Sequence, residues 1–176
     1  MPGKSFTGGS PLIGRKWSLF VGISGLIVCL DQVTKYLIYS NMPLHSSIPI
    51  IDGFFSITYI TNPGAAFGFL STAPAPFRTV FFIAVIIAAI LLIIYSLHKY
   101  DEGGRPFTLS LSFIMGGAVG NLIDRIRFGE VVDFLDFYIG PHHWPAFNVA
   151  DSAISVGAFL LFVEMIRKAR EKDNVA

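Results

Sequence analysis

Four aspartates in the last third of the chain are the side chains best suited to chemistry: Asp124, Asp133, Asp136 and Asp151. Two carboxyl groups that lie close together cannot easily both ionise, so one keeps a proton while the other acts as a base. The base can take a proton from a water molecule that attacks a carbonyl group, and the acid can protonate the departing amine. A close pair of these aspartates would therefore hydrolyse a peptide bond without a metal ion or a cofactor.

We expect Asp133 and Asp151 to be the reacting pair. Asp133 lies in the apolar stretch "VVDF", where burial favours the protonated carboxyl group. Asp151 is placed to face the interior of a helix bundle. Asp124 is a poorer candidate, because we expect the adjacent Arg125 to stabilise its charged form. A close pair titrates as a unit, and its apparent pKa values belong to neither residue separately.

Serine and zinc chemistry fit the sequence poorly. The chain has no G-x-S-x-G motif and no histidine suitably placed within an apolar segment. A serine–lysine pair that uses Lys35 is conceivable, but Asp31 lies four residues away and would hold that lysine protonated. The chain has no H-E-x-x-H motif, and we expect His142 and His143 at the membrane interface, not as metal ligands. The sequence thus predicts neither a metal site nor a cofactor.

Four apolar segments must position these groups, and each is long enough to span a bilayer. The chain is 53% hydrophobic and 14% charged, with a mean hydropathy of +0.62, and is more apolar than an ordinary soluble domain. The predicted spans are residues 17–39, 77–97, 106–123 and 147–166. We expect a single integral membrane domain over residues 1–176. The small net charge of +1, without a basic patch, argues against nucleic-acid binding.

Basic residues predict which ends of the spans face the cytoplasm. Nine lie on one side: Lys4, Arg15, Lys16, Lys99, Arg105, Arg167, Lys168, Arg170 and Lys172. Four lie on the other: Lys35, Arg78, Arg125 and Arg127. Both termini are therefore expected in the cytoplasm, with a β-containing outer loop at residues 40–76 and an outer catalytic loop at residues 124–146. In the first of these loops, the stretch "FFSITYI" (54–60) predicts a small external sheet.

Three polar residues within the spans are predicted to lie at one depth. Because a helix rises about 1.5 Å per residue, Asp31 lies about 21 Å from the cytoplasmic end of its span. Asn121 and Asp151 each lie about 24 Å from theirs. The hydrocarbon core is about 30 Å thick, so all three are slightly below the outer surface. Polar groups at this depth normally face the bundle interior and mark functional sites.

Some of these residues also have a purely structural interpretation. Asp31 and Lys35 are four residues apart, so they share a helix face and can neutralise each other. Gly116 and Gly120 follow the small-xxx-small pattern of close helix contact. The common depth of the polar groups is what favours a functional site over simple packing.

A small ion-coupled transporter is the main alternative from another functional class, because intramembrane Asp, Asn and Lys can also form a proton path. Against this alternative, the polar groups gather at one height and none continues toward the cytoplasm. The sequence also lacks inverted repeats and interrupted helices. A purely structural membrane scaffold is a third possibility, and it leaves the acidic cluster unexplained.

Five stretches, spread over residues 31–154, give the chain a family resemblance. They are "DQVTK" (31–35), "NPGAAF" (62–67), "GGAVGNLIDR" (116–125), "GEVVDF" (129–134) and "FNVADSAI" (147–154). In these stretches and in their order, the chain closely resembles the lipoprotein signal peptidases (signal peptidase II), aspartic enzymes that process bacterial prolipoproteins.

The resemblance implies a mainly α membrane protein with four transmembrane helices, a small extracytoplasmic β-cradle and a mobile periplasmic segment. It implies a multi-pass protein of the bacterial cytoplasmic (inner) membrane, with an active site near the outer face, surrounded by membrane lipid. The implied substrate is a prolipoprotein whose cysteine carries diacylglycerol, and cleavage occurs just before that cysteine. The resemblance also implies sensitivity to cyclic peptide antibiotics of the globomycin type. We expect a monomer.

The resemblance also assigns roles to individual residues. Asp133 of "VVDF" and Asp151 of "FNVAD" match the catalytic dyad. Supporting or ligand-contacting positions are matched by Asn62, Gly64, Asn121, Arg125 and Asn148. Positions that hold the site together are matched by Asp31, Lys35 and Asp124.

The predicted orientation can be tested by cysteine labelling of intact cells. We expect His45→Cys and His142→Cys to react with a membrane-impermeant thiol reagent added outside, and Glu102→Cys to be protected. Labelling of Glu102→Cys together with protection of His45→Cys would overturn the orientation.

Overall fold

Four long helices form the body of the molecule, as the hydropathy of the sequence predicts. The computed structural model describes residues 11–64, 70, 72–100 and 104–173. Helix α1 spans Pro11–Asn41, α2 spans Ala75–Lys99, α3 spans Gly104–Phe128 and α4 spans Val149–Asp173. Each contains a segment long and apolar enough to cross a membrane. Lys4 and residues 65–67, which enter the sequence predictions, lie outside the described residues, and the mobility of a periplasmic segment stays a prediction.

The helices extend beyond most of the predicted span ends, and two ends near the site differ in ways that matter. The sequence predicts that the third span ends at residue 123, but α3 continues to Phe128, because Asp124 and Arg125 find partners inside the protein. Gly129 then ends the helix. Its φ of +76° is left-handed, and its N–H donates to the Arg125 carbonyl oxygen over 3.1 Å. Helix α4 begins at Val149 and not at the predicted residue 147, because Asn148 occupies the capping position.

Helix α3 is the centre of the bundle and packs against each of the other three helices. Half of its span is buried (50%), against 17–22% of each of the other three. Glycines permit this close packing. A Cβ atom at Gly116 would lie 2.7 Å from the Ile27 Cβ on α1, and one at Gly117 would lie 2.3 Å from the Ala150 carbonyl oxygen on α4. The close helix contact predicted from the small-xxx-small pattern is therefore confirmed.

A four-stranded antiparallel sheet lies at one end of the bundle, in the order β1-β2-β3-β4. Its strands are β1 (Ser47–Ile51), β2 (Phe55–Asn62), β3 (Val131–Ile139) and β4 (His142–His143). The predicted strand at residues 54–60 is confirmed as β2. The segment 124–146, predicted as an outer loop, is not only a loop, however, because it contains the end of α3 and strands β3 and β4. Strand β3 could not be predicted from periodicity. Its first four residues are all buried, so its apolar and polar residues do not alternate.

Strand β2 contains a bulge that matters for the site. Ile57 lies opposite Leu135, but Ile60 lies opposite Asp133, so β2 has one residue more than β3 over this interval. Residues directly opposite one another in a sheet share a face. The bulge therefore brings Asn62, opposite Val131, to the same face of the sheet as Asp133.

The close contact between α1 and α3 predicts that Gly116→Ala lowers stability. The new methyl group would lie 2.7 Å from the Ile27 Cβ and 3.0 Å from the Ser24 carbonyl oxygen. We expect a loss of about 1–3 kcal/mol from overpacking, measured by thermal unfolding of the purified protein in detergent. Gly22→Ala is the matched control, because nothing lies within 4 Å of a Cβ at that position. Equal stability of the two variants would contradict the packing argument.

Candidate active site

A buried ammonium group lies at the centre of the polar residues. Lys35 Nζ lies 2.9 Å from Asp31 Oδ2 and 2.9 Å from Asp124 Oδ2, and it donates to Asn121 Oδ1 over 3.0 Å. Lys35, Asp31 and Asp124 are each at most 1% exposed. The predicted pairing of Asp31 with Lys35 is confirmed. The second carboxylate, from α3, makes the lysine a bridge between two helices.

Asp124 does not pair with Arg125 as the sequence analysis expects. Consecutive residues of a helix point about 100° apart, so Asp124 faces α1 while Arg125 faces α2. The Arg125 guanidinium group lies 4.6 Å from the Phe82 ring and donates to the carbonyl oxygens of Pro63 and Gly64. Arg125 therefore supports the chain that follows β2.

The turn supported by Arg125 presents Asn62 to Asp133. The Gly64 N–H donates to Asn62 Oδ1 over 3.0 Å, which fixes the orientation of the Asn62 amide group. The Asn62 side chain is in turn hydrogen-bonded to Asp133. Arg125 thus acts on Asp133 indirectly, by holding the backbone that orients Asn62.

Asn148 connects the two predicted catalytic aspartates. Its Nδ2 donates to Asp133 Oδ1 over 2.7 Å and to the Val132 carbonyl oxygen over 3.2 Å. Its Oδ1 accepts from the Asp151 N–H at 2.9 Å, while its own N–H donates to Asp151 Oδ2 over 3.3 Å. This reciprocal pair is a capping box at the first turn of α4. The same asparagine therefore binds one carboxylate through its amide nitrogen and caps the helix that carries the other.

Asp151 completes the connection with α3. Asn121 Nδ2 donates to Asp151 Oδ1 over 2.8 Å, and Asn121 Oδ1 accepts from Lys35. The three residues predicted to lie at one depth are therefore joined, because Asp31 Oδ1 also accepts from the Ala150 N–H at 2.9 Å. Asp31, Asn121 and Asp151 therefore lie close together, and their depth in the membrane stays a prediction.

The pKa of Asp133 is raised from 3.8 to about 7, first by burial and second by the nearby charge of Asp151. Hydrogen bonds from Asn62 and Asn148, together with the positive charge of Lys35, oppose this rise. Asp133 can therefore hold or release a proton near neutral pH. That is the property required of a carboxyl group in acid–base catalysis.

The residues that the sequence assigns to a supporting role are linked to Asp133 or Asp151 by hydrogen bonds, directly or through a neighbour. The direct partners are Asn62, Asn121 and Asn148. Gly64 and Arg125 act through Asn62, and Asp31, Lys35 and Asp124 act through Asn121. Asp136, the fourth aspartate, lies apart on β3. Its carboxylate lies 2.9 Å from His143 Nδ1. Because side chains alternate along a strand, Asp136 and Asp133 point to opposite faces of the sheet.

Gln32 is a member of this network that the sequence did not predict. Its Nε2 donates to Asp31 Oδ2 over 3.1 Å, to the Gly120 carbonyl oxygen over 3.1 Å and to Asp124 Oδ1 over 3.0 Å. Gln32 follows Asp31 directly, so the spacing rule that links Asp31 to Lys35 does not include it. The feature of the sequence that could have indicated this contact is Gly120 on α3. Because it has no side chain, α1 can approach closely there.

Comparisons with known proteins give matches over most of the chain. Residues 23–167 match the family described as "Signal peptidase (SPase) II". A lipoprotein signal peptidase of Syntrophus aciditrophicus is 54% identical over 88% of this chain and 96% of its own length. One from Geobacter metallireducens is 50% identical over 90% and 98%. A bacterial membrane enzyme solved by the in meso method at 2.3 Å is 34% identical, with a TM-score of 0.78 over 88% of this chain and 92% of its own.

The raised pKa of Asp133 predicts a pH-dependent effect of Asp133→Asn on stability. Asp133 binds its proton more tightly in the folded protein, so its contribution to stability is present below about pH 4 and is lost as the pH rises through about 7. We therefore expect Asp133→Asn to gain stability relative to the parent protein over this range. The gain should be at most roughly 4 kcal/mol.

Thermal unfolding at a series of pH values measures this difference. Asp52→Asn is the matched control, because Asp52 lies exposed on the turn between β1 and β2 and should show little pH-dependent difference. The expected result is contradicted if the stability difference between Asp133→Asn and the parent stays constant from pH 4 to 8. Such a result would show that folding does not raise the pKa of Asp133.

Proposed function

Because the chain belongs to the signal peptidase II family, we propose that it is an aspartic endopeptidase that removes signal peptides from bacterial prolipoproteins. Asp133 and Asp151 are the catalytic residues of this proposal. Cleavage takes place before the cysteine that carries diacylglycerol. The observation that carries the assignment is the position of Asn148, which binds Asp133 with its side chain and caps the helix turn that holds Asp151.

The proposed mechanism uses the two carboxyl groups as one acid–base unit. They share a proton, because two carboxylates close together in a buried site cannot easily both ionise. The ionised member takes a proton from the attacking water, and the protonated member gives its proton to the amine that leaves. The high pKa of Asp133 supports this sharing, because it allows a proton to be held near pH 7.

The depth of the site suits a lipid-anchored substrate. Asp133 lies on the sheet and Asp151 in the first turn of α4, where the apolar helices meet the external strands. A bond next to a diacylglyceryl cysteine would be held at this same level, because its acyl chains remain in the bilayer. The described basic residues Arg15, Lys99 and Arg167 lie toward the opposite ends of their helices, which supports cytoplasmic termini and an outer active site.

Two further expectations belong to this proposal. Globomycin-type cyclic peptides should inhibit the protein by competing with the prolipoprotein at the aspartate pair. A single chain should suffice for activity, since α1, α3, α4 and the sheet of one chain supply the whole set of site residues.

The direct test is cleavage of a purified diacylated prolipoprotein by the purified protein in detergent or lipid. We expect the parent protein to release the signal peptide and to cleave the unlipidated precursor poorly or not at all. Asp133→Asn and Asp151→Asn should each remove nearly all turnover. The double variant should be little worse than either single variant, because residues that act as one unit are strongly non-additive.

Asp124→Asn is the comparison that separates catalytic from structural carboxylates. It removes one of the two carboxylate partners of Lys35, so we expect lower stability and expression, while the folded fraction keeps measurable turnover. The measurement is turnover per folded molecule, with thermal stability recorded for each variant. If Asp124→Asn is stable and inactive while Asp133→Asn still cleaves, the assignment of the catalytic pair is wrong.

A further inference from the structure

We propose that Gln32 is a positioning residue that fixes the catalytic strand β3 through Asp124. Gln32 lies on α1, and its side chain is half-buried between α1 and α3. It does not contact Asp133 or Asp151 in the hydrogen bonds described above. Its influence on catalysis therefore depends on the residues that it holds.

The environment of the Gln32 amide group fixes its orientation. Its three neighbours, Asp31 Oδ2, the Gly120 carbonyl oxygen and Asp124 Oδ1, all accept hydrogen bonds. Only the amide nitrogen can donate to them, so the nitrogen must face this group and the amide oxygen must face away. A carboxylic acid of the same shape could replace the amide only while it carries a proton.

Gln32 supplies donors that Lys35 alone does not provide. Lys35 is the single ammonium group between the carboxylates of Asp31 and Asp124, and it lies against the Oδ2 atom of each. The hydrogen bonds of the described residues give Asp124 Oδ1 one donor, which is Gln32 Nε2 at 3.0 Å. Asp124 is 1% exposed, so loss of this donor leaves a buried carboxylate oxygen without compensation.

Asp124 transmits this constraint to the catalytic strand. Its Oδ2 accepts from the Val132 N–H over 3.1 Å, across the turn that joins α3 to β3. Val132 directly precedes Asp133, and its carbonyl oxygen accepts from Asn148. The connected groups thus run from Gln32 to Asp124 and then to the backbone next to Asp133. A rotation of the Asp124 carboxylate would therefore move the backbone of Val132, the residue directly before Asp133.

The test compares Gln32→Met with Gln32→Glu. Methionine has a similar length but no donor, so we expect kcat to fall roughly tenfold at all pH values, with little change in KM. Glutamate has the same shape as glutamine and can donate only in its protonated form. The turnover of Gln32→Glu relative to the parent should therefore fall as the pH rises from about 5 to 9. The substrate is the diacylated prolipoprotein, so this arm rests on the proposed function.

Ser40→Glu is the matched control for added charge. It lies on the same helix, and the Ser40 side chain is exposed and bonds only within its own helix turn. We expect its pH profile to match that of the parent protein. A parental kcat for Gln32→Met, or a pH-independent activity ratio for Gln32→Glu, would overturn the positioning role.

Thermal unfolding separates this inference from the proposed function. Gln32→Glu should lose stability relative to the parent as the pH rises, and this arm needs no substrate. A parent protein that fails to cleave the lipidated precursor would refute the proposed function, while the pH dependence of unfolding would still test the hydrogen bonds of Gln32. A change in unfolding without any change in kcat would reduce Gln32 to a structural residue and overturn the proposal.

Discussion

The shared neutralisation of two buried carboxylates by Lys35 is the interaction on which the rest of the site depends. Charges are costly where water is excluded, and removing one partner of a buried ion pair typically costs about 3–5 kcal/mol. Here the lysine and one aspartate come from α1 and the second aspartate comes from α3. Because the ammonium group must stay within reach of both carboxylates, it fixes both the separation and the register of these two helices. Once they are fixed, Asn121 is held beside the same ammonium group.

Asparagine side chains hold the carboxyl groups of Asp133 and Asp151. An amide can donate and accept at the same time, so each asparagine joins two partners without adding charge to a crowded acidic site. Asn121 joins Lys35 to Asp151, and Asn148 joins Asp133 to the start of α4. In the proposed mechanism, fixed donors of this kind would hold the two carboxyl groups in place before the substrate arrives, as efficient catalysis requires.

Features that follow from local sequence, or from counting residues along a helix, could be predicted, whereas the partners of several charged side chains could not. The four spans follow from uninterrupted apolar runs, and the pairing of Asp31 with Lys35 follows from their spacing on one helix. The charged end of α3 is different. Asp124 and Arg125 are neighbours in sequence, yet one faces α1 and the other faces α2, because successive helical side chains diverge. Their true partners come from elements far away along the chain.

Strand β3 was missed for a related reason. It pairs with β2, about 75 residues earlier in the chain, and its first residues are buried on both faces. The alternating pattern that identifies a half-exposed strand is therefore absent. The role of Gln32 could not be predicted either, because nothing in its own helix distinguishes it from a polar side chain without a structural role. Only the approach of Gly120 and Asp124 gives its amide group a function.

The bulge in β2 divides this strand into a part where the number of residues can change and a part where it cannot. Two residues lie between Ile57 and Ile60, opposite the single Phe134 of β3, so loss of one of them would remove the bulge and keep the pairs on both sides of it. Asn62 would still lie opposite Val131, on the side of the sheet that carries Asp133. Beyond the bulge the pairing is regular, and a residue added or removed between Ile60 and Asn62 would turn Asn62 to the side that carries Asp136. An alignment gap between Ile57 and Ile60 is therefore compatible with this arrangement, whereas a gap between Ile60 and Asn62 would mark a protein whose site is built differently.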